Sequence, residues 1–251
     1  MTSYDFDYEA PPTRLGFAEG RKRQRERGRR ARGIIFLGNE SGAYYYDLAT
    51  RHPRGAVLKR TVDVLAATAL ITLLTPVLLL IMALIKLTSH GPIIFRQRRI
   101  GFRCHEFKMY KFRTMYAGAH LKEKELAAQS GGSFLKLEND PRITPIGRFL
   151  RKYSIDELPQ LFNVLEGTMS LVGPRPLLIS DLDLLPRRST LRRFSTPPGI
   201  TGLWQVRGRS SCSEQERLQL DREYVDRWSL ALDFQILVRT VAVVVTGRGA
   251  V

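Results

Sequence analysis

Hydrophobic and polar positions divide this chain into stretches of unlike pattern. Residues 1–55 carry little apolar periodicity, whereas Val64 to Ile85 runs for 22 residues without a charge, interrupted only by Thr68, Thr72, Thr75 and Pro76. Lys59 and Arg60 precede that run and Lys86 follows it. Its length and flanks predict a membrane segment. As a straight helix it would extend about 33 Å at about 1.5 Å per residue, enough for a hydrocarbon core of about 30 Å.

Two features favour a re-entrant hairpin over a single crossing. Pro76 removes a backbone donor and crowds the Thr72 carbonyl, which predicts a bend, with the Thr75 hydroxyl available to a freed carbonyl. A crossing would also separate residues 1–60, with their thirteen Lys and Arg, from an equally basic remainder, against the positive-inside bias. A hairpin keeps both ends on the cytoplasmic side.

After the run, Ile93–Arg99 and Glu106–Arg113 alternate around a turn containing Gly101, which predicts a β-hairpin. Ala119–Gln129 has helix-forming composition and stops at the loop signal Ser130-Gly131-Gly132-Ser133. Short helices separated by Pro and Gly follow, among them Leu161–Leu165. Glu214–Trp228 is helical in pattern, with Leu218, Val225 and Trp228 on a core face. Phe234–Val245 is apolar but contains Arg239 and is too short to span, so a buried or interface-lying helix is expected.

Charge adds a partner class without choosing within it. The formal net charge is +16 and the isoelectric point near 10.3; nucleic acid, anionic lipid and phosphorylated substrates all answer to that. Arg21–Arg32 alone holds eight Lys or Arg against Glu26. It reads as a disordered basic tail, or as a solvated charged helix. Cys104 and Cys212 are far apart and lack zinc-ligand neighbours, which argues against a disulfide framework or metal knuckle and for a reduced compartment.

The chemistry concentrates at Arg151-Lys152-Tyr153-Ser154-Ile155-Asp156-Glu157-Leu158-Pro159-Gln160. Ser154 and Glu157 have capping-box spacing, so a helix start explains Glu157. It explains Asp156 less well, because with Asp156 as N-cap, Pro159 at N3 offers no N–H. An ionised carboxylate among cations can attack a phosphoryl group or hold a divalent metal. Diphosphate chemistry also needs cations to neutralise its oxygens, and Lys111, Arg113, Arg151 and Arg175 are the candidates.

Five ordered motifs carry a family resemblance: Lys111-Phe112-Arg113-Thr114-Met115, Asp140 to Arg148, Asp156 to Gln160, Val172-Gly173-Pro174-Arg175-Pro176, and Pro198 to Val206. In order and approximate spacing they resemble the monotopic phosphoglycosyl transferases, also called bacterial sugar transferases, in the short form, over roughly Lys59 to Ala250. The resemblance implies an α+β, mainly helical fold: a membrane-anchored monotopic domain with an N-terminal re-entrant helix-break-helix and a small β-hairpin. Residues 1–55 would be a basic cytoplasmic tail, 56–90 the re-entrant helix and 91–251 the cytoplasmic catalytic domain.

The implied reaction moves a sugar 1-phosphate from a UDP-sugar, releasing UMP, to polyprenyl phosphate, as in the initiation of exopolysaccharide, capsule or O-antigen synthesis. Asp156 matches the nucleophile and Glu157 its partner in the dyad, with magnesium (Mg2+) near Asp156. Lys111, Arg113, Arg151 and Arg175 match basic phosphate-binding positions, Gln205 and Arg209 match nucleotide contacts, and Thr75-Pro76 matches the membrane break. Membrane lipids of the cytoplasmic membrane's inner leaflet are implied partners, nucleic acid is not, and a homo-oligomer stays open. Thr168 departs from the pattern, which usually has an acid there. The competing readings are an inactive membrane scaffold and a binder of anionic surfaces or nucleic acid.

Overall fold

The computed structural model describes residues 51–119, 140–179, 192–208 and 212–246. Most of the basic tail, nearly all of the helix expected over Ala119–Gln129, its Ser130–Ser133 stop and Arg209 lie outside these residues. The first element, α1 (Pro53–Thr88), starts with proline in its opening turn, where the missing N–H costs nothing, and continues through Pro76 as one helix. The Thr75 hydroxyl donates to the Ile71 carbonyl at 2.7 Å. It makes the usual back-bond one turn up and leaves the Thr72 carbonyl freed by Pro76 without it.

One side of α1 faces protein. Lys59, Asp63, Ala67, Ile81 and Ile85 are buried, while Leu73 is 74% exposed and Leu80 60%. Both ends of the helix touch the rest of the chain. Near the start, Arg60 donates to the Val164 and Leu165 carbonyls, the latter at 3.0 Å. Near the end, Ile81 and Ile85 pack with Phe112 and Leu150.

The expected hairpin is present as β1 (Ile94–Ile100) and β2 (Glu106–Phe112), antiparallel, with Phe95 opposite Lys111 and Ile100 opposite Glu106. A 3-10 turn over Phe102–Cys104 joins them, with Arg103 and Cys104 in the left-handed region. Helix α2 (Pro145–Lys152) is capped by Thr144, whose hydroxyl accepts from the Gly147 N–H at 2.9 Å. A side chain at Gly147 would collide with the Thr114 carbonyl, so glycine is what lets α2 lie against the end of the hairpin.

A 3-10 turn over Ile155–Glu157 leads to α3 (Gln160–Glu166). The sequence reading missed a parallel pair, β3 (Ser170–Val172) with β4 (Gly199–Thr201), each only three residues long. Gly173 and Gly199 are so close that a Cβ on either would meet the other's backbone. Then come α4 (Leu203–Arg207), α5 (Glu214–Asp226, with a complete Ser213–Glu216 capping box) and α6 (Leu230–Thr246).

The main core draws Met109, Leu161, Val164, Val172, Leu203, Tyr224 and Ile236 from β2, α3, β3, α4, α5 and α6 around Ala67 of α1. Each such fully buried apolar side chain contributes roughly 1.5–3 kcal/mol. Val225 and Trp228 join this core as expected, and α6 buries Asp233 and Ile236 on one side while leaving Phe234 and Val245 67% and 73% exposed.

Candidate active site

Three elements converge on the two acids. Strand β2 supplies Lys111, the turn after α2 supplies Asp156 and Glu157, and the loop after β3 supplies Arg175. The turn is tight because Ser154 sits at φ 55°, a left-handed conformation that ends α2 and redirects the chain. The expected capping box does not form. Ser154 makes no side-chain cap, and α3 starts only at Gln160, beyond Pro159, so Glu157 is left for another partner.

That partner is a pair of cations. Glu157 Oε1 accepts from Lys111 Nζ at 2.7 Å and from Arg175 Nη2 at 3.2 Å. Asp156 is buried, lies 3.8 Å from Lys111 Nζ through Oδ2, and accepts no hydrogen bond from the described residues. The two carboxylates are therefore held differently. Burial raises the Asp156 carboxyl above its ordinary range, against the pull of Lys111, Arg151 and Arg175 and with the help of the neighbouring Glu157 charge. Burial also pushes Glu157 up, but the direct contacts with Lys111 and Arg175 prevail and hold it at about 2.

The fold fixes these cations from behind. Asn163, fully buried on α3, takes the place of a neighbouring strand along β2: its Oδ1 accepts from the Tyr110 N–H at 2.9 Å and its Nδ2 donates to the Lys108 carbonyl at 2.8 Å. The helix after the dyad is thus registered on the strand that carries Lys111. Arg193 Nη2 donates to the Arg175 carbonyl at 2.6 Å and pairs with Asp221 at 2.8 Å, both side chains buried. Burial pushes Asp221 up to about 6, against the charge of Arg193 and the backbone amide of Arg175. Asn163, Arg193 and Asp221 were not singled out in the sequence, because each acts across long separations with no local pattern to mark it.

The other expected residues divide. Arg151 Nε donates to the Thr114 hydroxyl at 2.8 Å, and its charge acts on Asp156. Arg113 is elsewhere: it donates to Ser89 O and Ser89 Oγ, both at 2.7 Å, and to the Pro92 and Ile85 carbonyls, capping the C-terminus of α1. Its guanidinium is buried there, at the end of α1, and it makes no contact with either acid among the described residues. Asp140 and Arg142 form a bidentate clasp with each other, and Thr168 bonds Asn163 beyond the far end of α3 from the dyad. Gln205 Nε2 donates to the Ile200 carbonyl at 3.2 Å, and its Oε1 is buried with no partner. Thr75 and Pro76 lie in α1, outside this cluster.

What the cluster can do is bind anionic phosphate oxygens beside a carboxylate left uncommitted. The family-level match agrees with it: residues 54–247 match the model of the bacterial sugar transferases. The chain belongs to this family. It is 40% identical over 228 residues to the exopolysaccharide production protein ExoY of Rhizobium meliloti, covering 88% of this chain and 97% of the relative. It is 41% identical over 211 residues to an undecaprenyl-phosphate galactose phosphotransferase of Salmonella typhimurium, covering 81% of this chain and 43% of that longer protein. A third relative, 38% identical over 203 residues, is the UDP-N-acetylgalactosamine-undecaprenyl-phosphate N-acetylgalactosaminephosphotransferase of Aeromonas hydrophila, covering 79% of this chain and 46% of the relative.

Proposed function

We propose that this sugar transferase moves a sugar 1-phosphate from a UDP-sugar to polyprenyl phosphate through a covalent phosphosugar on Asp156. The observation that carries the reading is the unequal dyad: Glu157 is claimed by Lys111 and Arg175, while the adjacent Asp156 accepts no hydrogen bond from the described residues. In the first step an Asp156 oxygen bonds to the phosphorus that bears the sugar. The bridging P–O bond breaks, and UMP leaves with its electron pair. In the second, an oxygen of the lipid phosphate bonds to the same phosphorus and Asp156 departs as a carboxylate.

Glu157, held at about 2, stays ionised at neutral pH. It anchors the two cations instead of delivering a proton. Lys111 and Arg175, with Arg151 nearby, neutralise the diphosphate as the charge shifts toward UMP. Among the described residues no three acids, histidines or cysteines are grouped as a metal cage. Magnesium needs none, since one or two carboxylates with substrate phosphates suffice, and Asp156 with the unclaimed Glu157 oxygen fits that donor set. When bound, the ion would add a further positive charge on the phosphate oxygens.

The membrane part of the proposal is a re-entrant α1 that keeps the catalytic domain on the cytoplasmic face. Its support is that both ends of α1 hold the same domain, Arg60 on α3 at one end and Arg113 on Ser89 at the other. A helix crossing the bilayer would carry one end away from it. The donor's nucleotide and the lipid acceptor are read from the motif resemblance and agree with the names of the Salmonella and Aeromonas relatives.

The test is UMP release by solubilised protein given magnesium, undecaprenyl phosphate and a panel of UDP-sugars, beside Asp156→Asn. Release by the native chain alone, with an acid-trapped phosphosugar on Asp156, is expected. Equal release by Asp156→Asn would overturn the covalent route.

A further inference from the structure

The loop over residues 173–177 carries Arg175 to the dyad, and most of its hold on the fold is ordinary backbone pairing. The Gly173 N–H donates to the Thr201 carbonyl and the Pro174 carbonyl accepts from the Gly199 N–H, both at 2.9 Å, while Leu177 exchanges hydrogen bonds with Ile100. The Pro176 carbonyl accepts from Arg99 at 3.3 Å. At Arg175 the holding groups are ionised and buried. Arg193 Nη2 donates to the Arg175 carbonyl at 2.6 Å, and the Arg175 amide acts on the Asp221 carboxylate, which Arg193 also meets at 2.8 Å. Arg193 stands on a 3-10 turn over Arg192–Ser195 and Asp221 on α5, so two separate elements meet at one residue's backbone.

Stability does not account for this pair. The side chains of Arg193 and Asp221 are 6% and 2% exposed. Desolvating two such charges offsets most of their attraction, and apolar side chains of like volume commonly serve a fold as well or better. Asp221 Oδ1 adds to the cost, because it is buried without a hydrogen bond among the described residues. What the pair touches is more telling. The Arg175 guanidinium has one hydrogen bond among the described residues, to Glu157 at 3.2 Å, and is partly open to solvent. A long side chain so lightly held at its tip is aimed from its backbone, and Pro174 and Pro176 stiffen the chain on either side of it.

We propose that Arg193 and Asp221 are positioning residues for diphosphate binding: holding the Arg175 backbone by its carbonyl and its amide, they fix where its guanidinium stands beside the dyad. Neither touches substrate. They act through Arg175 alone, and the assignment rests on the phosphoryl-transfer reading above.

The test replaces the pair as a unit, Arg193→Met with Asp221→Leu, so that no buried charge is left behind. It uses the full chain in lipid nanodiscs, with and without Arg175→Ala, and measures the melting temperature, UMP release per folded molecule and binding of inorganic diphosphate by calorimetry. The paired replacement should melt no lower than native. UMP release should nevertheless slow, and diphosphate binding weaken, by about tenfold or more, as expected of a misplaced charge. In the Arg175→Ala background the same replacement should change either quantity by less than about twofold, because its one route to the site is gone. If the pair proves necessary for folding, Arg193→Lys carries the test. It keeps a charge beside Asp221 without the fork that also reaches the Arg175 carbonyl, and its losses should vanish in the same background.

Native release and binding in the folded variants would make the pair purely structural and overturn the proposal. So would equal losses with and without Arg175, or native protein that binds no diphosphate. The two readings fail separately. Diphosphate binding that depends on the pair through Arg175, without UMP release from any UDP-sugar, would sink the transferase reading alone. Normal release that is indifferent to the pair would sink this inference alone.

Discussion

Two lysine–carboxylate pairs in this protein have nearly the same length and opposite surroundings. At the foot of α1, Lys59 meets Asp233 at 2.6 Å; at the dyad, Lys111 meets Glu157 at 2.7 Å. Around the first, every strong group is answered. Lys59 also donates to the Val172 carbonyl, Tyr224 and Trp228 donate to Asp233, and nearby Asp63 accepts from Ser170 and the Leu171 N–H. Around the second, Asp156 is left over. A closed polar network ties elements together, whereas an open one keeps a charge in reserve for something that arrives.

The largest effect expected from this contrast is on turnover. Asp156→Asn should cut UMP release by about a thousandfold or more while leaving the melting temperature unchanged or higher, since that carboxylate accepts no hydrogen bond from the described residues and its ion pair with Lys111 is long, at 3.8 Å. A single-turnover assay beside a thermal melt reads both quantities. Parallel loss of folding would make Asp156 structural and erase the contrast.

Breaking the closed network should do the reverse. Lys59→Met strands the Asp233 carboxylate among Tyr224 and Trp228, and a loss of about 3–5 kcal/mol in stability is expected, with turnover per folded molecule retained. Denaturant unfolding in nanodiscs, with activity normalised to folded protein, would measure it. The double variant Lys59→Met with Asp233→Leu should recover part of that loss, because the Asp233 charge is then gone, while buried Asp63 still lacks the Lys59 cation.

Asn163→Leu comes next. It leaves the Lys108 carbonyl and the Tyr110 N–H without their side-chain partner, a cost of about 2–3 kcal/mol. It should also loosen Lys111 against Glu157, so turnover should fall along with stability. Unchanged turnover in a destabilised variant would show that the strand holds its register without α3.

The smallest effect is in pH dependence. On the proposed covalent route Asp156 reacts as the carboxylate, and burial raises its pKa, so activity should fall with falling pH from above the ordinary carboxylate range. Lys111→Met removes the cation that most opposes that rise and should move the acid limb to higher pH. For stability the sign at Glu157 is opposite. Its depressed value, about 2, supplies stability that is complete above the ordinary 4.5 and is lost as pH falls toward 2. A pH series of melting temperatures should show that loss flattened in Lys111→Met.

The sequence carried the paired acids and the cations that touch them, because Asp156, Glu157, Lys111 and Arg175 sit in short motifs whose residue types suit phosphate chemistry. The hairpin and α1 were legible from alternation and from an uncharged run. Arg113 was expected beside Lys111 because it stands two residues from it in the same motif, and the structure places it at the end of α1 instead. Alternation along β2 puts the two on one face, and only the path of α1 decides that a helix end takes the second. The three-residue strands β3 and β4 are too short for a periodic signal; their glycines, brought into contact by the fold, define them instead.

The grip of Arg60 on α3 and of Arg113 on Ser89 also makes α1 a depth gauge. With both ends fastened to the body that carries Asp156, on the re-entrant reading proposed above the depth of the helix in the bilayer would set the height of Asp156 above the lipid phosphates. On the proposed two-step route only the second half-reaction would draw its substrate from that plane. Varying acyl-chain length should therefore change the rate of lipid-linked product formation while leaving the first release of UMP untouched, so that bilayer thickness becomes a kinetic variable for one step alone.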